Sequence, residues 1–209
     1  MHWSHKATII LLIVAFLLAL NYYGVFKAIL KQFYAEKIEE EKYVWVDASQ
    51  YFPKTEIELN GTSITFIYGE RHIGGRVYAL KKKIPLPCVI IINITKIKFN
   101  NPYGFYSIGL VFDKTWKGKI QENEGAEKEV EFIGIWFSSF SGGTSTYYKY
   151  EINGKTYYVE VRGLEAKKGI VTIDLTREKI ENANIREVWI DTTQLYIKFK
   201  IVKIGFPKQ

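Results

Sequence analysis

Apolar residues follow three different rhythms along this chain, and each predicts a different element. From Ala7 to Phe26, ATIILLIVAFLLALNYYGVF, twenty positions pass without a charge. At about 1.5 Å per residue such a run covers roughly 30 Å, the hydrocarbon thickness of a bilayer, so it predicts a transmembrane helix over 7–26. The spacing then opens to three and four residues, with Phe26, Ile29, Leu30, Phe33 and Ile38 set among Lys31, Glu36, Lys37 and Glu40. That pattern predicts an amphipathic stalk helix over 27–42. From Tyr43 the alternation has a period of two. Strands are expected at Lys54–Leu59, Thr62–Tyr68, Arg76–Lys81, Val89–Phe99, Phe105–Phe112 and Glu129–Phe137. Further strands are expected at Thr146–Ile152, Lys155–Arg162, Ile170–Leu175, Arg186–Asp191 and Gln194–Lys203. Asn60-Gly61 and Asn153-Gly154 each suit a type I′ hairpin turn, and Thr176 is placed to cap one short helix near Thr176–Ala183. Many short strands separated by turn residues predict an all-β fold, an antiparallel Ig-like β-sandwich over 43–209, behind a six-residue tail, the span and the stalk.

Residues at the ends of the apolar run bear on how it is used. A secretory signal would need small residues at a cleavage site, but the exit reads Leu18-Ala19-Leu20-Asn21-Tyr22-Tyr23-Gly24, so retention as a single-pass signal anchor is expected. Trp3 on one side and Tyr22 and Tyr23 on the other suit the membrane interfaces. The segment from Lys27 to Lys42 carries four lysines against one in the tail, which favours a cytoplasmic domain. The short tail with its single lysine, and the sequons at Asn60 and Asn93, favour an extracytoplasmic one, which is the expectation adopted. The lipid bilayer is thus the first expected partner. The apolar stripe of the stalk packs on the chain's own domain or the headgroups, or else on a second helix in a homo-oligomer.

Composition and charge narrow the chemistry. The chain carries a net charge of +7 and one Met, and its only cysteine, Cys88, rules out an internal disulfide. Abundant Lys and Glu with scarce Gln resemble thermophile usage. Lys96, Lys98, Lys198 and Lys200 read as dispersed solvent-side alternates and Lys81-Lys82-Lys83 as a solvated loop, so no nucleic-acid partner is expected. Two of the three histidines, His2 and His5, lie in the tail, which leaves His72 alone. Metal sites need convergent ligands, so no catalytic residue, cofactor or enzyme activity is expected. Phe112-Asp113-Lys114-Thr115, Ile173-Asp174-Leu175-Thr176 and Ile190-Asp191-Thr192-Thr193 repeat Asp-x-Thr at strand ends. Such pairs close turns on the backbone, and only a shared sheet edge would make Asp113, Asp174 and Asp191 Ca²⁺ ligands. Tyr147, Tyr148, Tyr150, Tyr157 and Tyr158 flank the second Asn-Gly. They read as cross-strand pairs, with a sugar- or strand-binding aromatic patch as the alternative.

The stretch VIIINITKIKFNNPYGFYSIGLVFDKTWKGK, Val89–Lys119, ends a strand in Asn101-Pro102 and returns through the apolar Ser107–Phe112. It resembles the strand–Asn-Pro–strand signature of the late embryogenesis abundant group-two, or water-stress and hypersensitive-response, domain. The likeness covers about thirty residues, departs from the family at Tyr103, and implies a non-enzymatic protective or interaction domain behind one membrane helix. Helix, stalk and sandwich is also the layout of archaeal type IV pilins, and His5-Lys6-Ala7 is similar to a prepilin cleavage site, although Thr8 fits poorly.

Overall fold

The computed structural model describes residues 42–61, 65–67, 70–72, 76–121, 125–139, 147–178, 180 and 182–208. The expected membrane span, the expected stalk up to residue 41 and the interfacial Trp3, Tyr22 and Tyr23 lie outside these residues. Among the described residues, no helix is long and apolar enough to cross a membrane. The chain divides into two compact units, Met1–Val44 with Lys208 and Trp45–Pro207 with Gln209. In the first, Lys208 N–H donates to the Lys42 carbonyl at 3.0 Å; the second holds the buried core.

Among the described residues, thirteen strands carry the fold. They are β1 (Tyr43–Asp47), β2 (Glu56–Gly61), β3 (Thr65–Ile67), β4 (Glu70–His72), β5 (Arg76–Pro85), β6 (Val89–Phe99), β7 (Phe105–Gln121), β8 (Glu127–Ser138), β9 (Tyr147–Ile152), β10 (Lys155–Gly163), β11 (Gly169–Asp174), β12 (Asn184–Thr193) and β13 (Leu195–Pro207). A six-stranded sheet runs β5-β12-β7-β8-β10-β9, and a five-stranded sheet runs β1-β13-β6-β11 with β2 also on β13. β3 and β4 form a separate two-stranded sheet among the described residues. Ile90, Ile92 and Ile94 of β6, Ile197, Phe199 and Ile201 of β13, Ile108, Leu110 and Phe112 of β7 and Val188 and Ile190 of β12 meet in one buried core. The two sheets therefore share one apolar interior, and the alternation in the sequence is the record of which side chains enter it.

The two Asn-Gly dipeptides part company. Asn153 and Gly154 take φ of 52° and 74° and join β9 to β10, with Ile152 opposite Lys155. Asn60 and Gly61 instead continue β2, opposite Tyr196 and Leu195, so the expected first hairpin does not form. A Cβ on Gly61 would lie 2.3 Å from the Thr192 carbonyl oxygen; here glycine admits a close backbone approach rather than a turn.

Three other expectations are corrected. The sheets are not wholly antiparallel, because β10 lies parallel to β8, between β8 and β9. β10 takes the inner place of its hairpin and buries Val159 and Tyr158, whereas no residue of β9 is fully buried. No helix forms among the described residues of 176–183. Asp174 Oδ1 accepts from the Thr176 N–H at 2.9 Å and from its hydroxyl at 2.6 Å, which spends the Thr176 hydroxyl on a turn rather than a cap. Lys81, Lys82 and Lys83 lie within β5, where the stretch between Ala79 and Ile84 bulges against Arg186 alone. Lys81 Nζ donates to the Ser49 carbonyl, Lys82 sits 4.2 Å from the Tyr51 ring centroid, and Lys83 pairs with Asp113.

Candidate functional site

Side chains that alternate away from the core define the outer face of the six-stranded sheet, and aromatic residues fill it. Gly109 of β7 lies opposite Trp136 of β8. A Cβ on Gly109 would meet the Trp136 ring at 2.4 Å, so the indole lies flat across the neighbouring strand where only hydrogen leaves room. Trp189 of β12 meets it edge-on at 5.7 Å between centroids, and Tyr150 of β9 lies at 5.8 Å on the other side. Val111 and Val159 are buried beneath this row, with Ile133, Tyr148 and Val161 packed around it. Trp136 is thereby 2% exposed although it points away from the main core. Trp189 Nε1 donates to Glu187 at 3.1 Å, so its polar atom is satisfied at the rim. Beyond Trp189 the next strand places Val77, which is 55% exposed, and the apolar row ends in solvent there.

Past the irregularity between Val111 and Trp116, β7 and β8 continue as a ribbon with two unlike faces. Trp116 stacks on Phe132 at 5.4 Å, and Phe132 and Tyr147 each meet Tyr158 edge-on. The opposite face pairs Lys117 with Glu129, Lys119 with Glu127 and Lys155 with Glu131 at 3.0, 2.7 and 2.6 Å. Lys155 and the Thr115 hydroxyl hold the Glu131 carboxyl below its ordinary range.

One end of the same sheet is polar and dry. Ser107 donates to Ser138 at 2.9 Å, both buried, and Ser139 Oγ accepts from the Tyr106 N–H. The Tyr106 hydroxyl donates to the Glu165 carbonyl at 2.8 Å. Burial, then the nearby Glu165, raises its pKa. Each of these hydroxyls is thus engaged by a neighbour. Arg162 closes this end with paired bonds to Glu178 and Glu160. The Glu178 carboxylate, then Glu160, drives its pKa further up against the cost of desolvation.

The Ca²⁺ candidates do not converge. Asp113 Oδ1 accepts from the Asn184 N–H at 2.8 Å, and its Oδ2 accepts from Asn184 Nδ2 and from Lys83 at 3.0 and 2.9 Å. Partial desolvation opposes ionisation, but these donors prevail and hold the carboxyl at about 2. Asp191 lies opposite Ser107, six positions up β7 from Asp113, or about 20 Å away along a strand. Asp174 belongs to the other sheet. Among the described residues no three His, Cys, Asp or Glu side chains gather as a metal group. Of the three Asp-x-Thr repeats, Asp174–Thr176 closes its own turn. Thr115 bonds Glu131, and Thr193 Oγ1 is buried without a partner among the described residues.

The other candidates are placed individually. Asn60 is exposed on β2. Asn93 is half-buried in a strand flanked by β13 and β11, and its sequon hydroxyl, Thr95 Oγ1, donates to the Lys198 carbonyl; a glycosylation acceptor belongs on an open loop, which Asn93 is not. Cys88 is buried and its thiol is pushed up to about 12, first by burial and then by Asp174. Lys96 and Lys198 face each other on β6 and β13, with Lys98 and Lys200 on the same face. These lysines are therefore gathered, not dispersed. Glu58 tempers them, pairing with Lys198 and accepting from the Tyr196 hydroxyl at 2.7 Å.

Asn101-Pro102 carries the chain from the five-stranded sheet to the six-stranded one. Asn101 Oδ1 accepts from the Tyr103 N–H at 2.8 Å, and Asn100 N–H donates to the Gln194 carbonyl. No family model matches the chain, and no curated protein or solved structure matches it. The aromatic row is not legible in the sequence, because its rings come from β8, β9 and β12. Its signals there are the tyrosine cluster that supplies Tyr148 and Tyr150, and Gly109, the small residue that admits the Trp136 ring.

Proposed function

We propose that this is a single-pass, membrane-anchored protein whose Ig-like β-sandwich acts outside the cytoplasm by binding or assembly, without catalysis. The observation that carries the reading is the division of labour in the chain. An uncharged twenty-residue run stands near the start, and the domain behind it engages Ser107, Ser138 and Asp113 in structural contacts while setting an aromatic row on one sheet face. Trp136 itself is core, but the half-buried Tyr148, Tyr150 and Trp189 above it, beside the exposed Val77, suit an extended or planar apolar partner, because flat rings offer area at little cost in side-chain entropy. The resemblance of Val89–Lys119 to the late embryogenesis abundant group-two domain supports the same role.

Alkaline carbonate washing of membranes tests the tether, with the chain expected to stay in the pellet; release into the wash overturns it. Protease treatment of intact cells tests the orientation, with loss of the domain expected and full protection refuting an outside location. His5-Lys6-Ala7 favours a second reading, a type IV pilin-like subunit. A purified chain beginning at Ala7 or Thr8 supports that alternative, and an intact Met1 opposes it.

A further inference from the structure

Among the described residues, β9 is the last strand of the six-stranded sheet and has one strand neighbour, β10. A two-residue turn makes its flanking residues, Ile152 and Lys155, the closing hydrogen-bonded pair. By alternation Tyr150 and Tyr148 also direct their backbone groups to β10, so Lys149 and Glu151 turn theirs to the outer edge. An outer edge of this kind is a template for another strand. Its side chains settle which strand fits. Lys149 and Glu151 have 58% and 70% exposed side chains and lie 3.7 Å apart, one on each side of Tyr150.

We infer that β9 pairs antiparallel with β9 of a second copy of this chain, about a two-fold axis at Tyr150, joining the six-stranded sheets of two molecules into one. In that register Lys149 of each copy lies opposite Glu151 of the other, and both pairs are the kind that exchange their backbone bonds. Tyr150 then faces its own counterpart, and Tyr148 faces Ile152, which is 41% exposed in the single chain. A shift by one residue along the edge would lose the charge match, so the pattern is complementary to itself in this register. An unrelated strand has no reason to match a lysine and a glutamate about their own midpoint. The pairing does not rest on the membrane reading, and it differs from association through the stalk.

Charge reversal in the full-length chain, purified in detergent and followed by sedimentation, tests it. Each of Lys149→Glu and Glu151→Lys sets like charges opposite each other twice per dimer and is expected to weaken association roughly tenfold. Mixing the two variants restores opposite charges at both places, so the mixture should recover wild-type dimer, as should the doubly reversed chain. A monomeric wild type overturns the inference. So does a dimer whose affinity is the same in the single variants and the mixture, since that result assigns association to another surface.

Discussion

Both sheets lay a tryptophan over a glycine on their outer faces, and the two sites have opposite fates. In the six-stranded sheet, Trp136 covers Gly109 from an interior strand, with Trp189 and Tyr150 closing on either side, and becomes the centre of a second core. In the five-stranded sheet, Trp45 covers Gly205, whose added Cβ would lie 2.7 Å from the ring, but it does so from the edge strand β1. The Lys203 ammonium sits 4.2 Å from its ring centroid, and the indole stays half-buried. The same local device therefore yields a core or a lid according to the strands beside it. An indole needs apolar neighbours on both flanks to leave water altogether.

Trp136 is where a substitution should hurt most. Trp136→Ala should cost about 3–5 kcal/mol by denaturant unfolding, whereas Trp45→Ala should cost about 1–2 kcal/mol. Equal losses would erase the distinction. Gly109→Ala should cost about 2–3 kcal/mol, because the ring has packed neighbours and nowhere to yield. Combined with Trp136→Ala it should add almost nothing, and simple additivity of the two would refute the contact.

Asp113 extends the contrast, since it ties β5, β7 and β12 of the Trp136 sheet together through Lys83 and Asn184. Its folded-state pKa of about 2 lies below the usual 3.8. Its contribution, roughly 2 kcal/mol, is therefore fully present above pH 4 and lost as the pH falls through 2. Asp113→Asn should remove most of that acid dependence; an unchanged pH profile would count against the clamp. Gly205→Ala is expected to cost about 1 kcal/mol, since Trp45 can lift from an edge. Lys203→Gln should cost less again, under about 1 kcal/mol, and a larger loss would show that the ammonium rather than the glycine seats the ring.

Much of the strand pattern is legible in the order of residues alone. Val89–Phe99 forms a strand at its expected bounds because Ile90, Ile92 and Ile94 alternate into the core. Asn153-Gly154 turns as expected because nothing crowds it: an added Cβ on Gly154 meets no atom within 4 Å. Asn60-Gly61 carries the same two letters, yet β13 and Thr192 press on it and hold it extended. The Asp-x-Thr repeat is likewise visible at strand ends, but only the partners supplied by distant strands separate the turn at Asp174 from the clamp at Asp113.

Local chemistry along the chain thus accounts for a definite share of the molecule. Alternation placed the strands and the interior, the run Ala7–Phe26 set the expectation of a membrane anchor, and a two-residue turn made one hairpin. Which strands became neighbours was settled at the tertiary level. That choice placed β10 parallel to β8, laid Trp136 over Gly109, brought Lys96 opposite Lys198, and left β9 at an edge. The cause is range. A side chain's preference for core or water acts at its own position, whereas the neighbour that satisfies it comes from a strand whose place depends on the whole apolar pattern being buried at once.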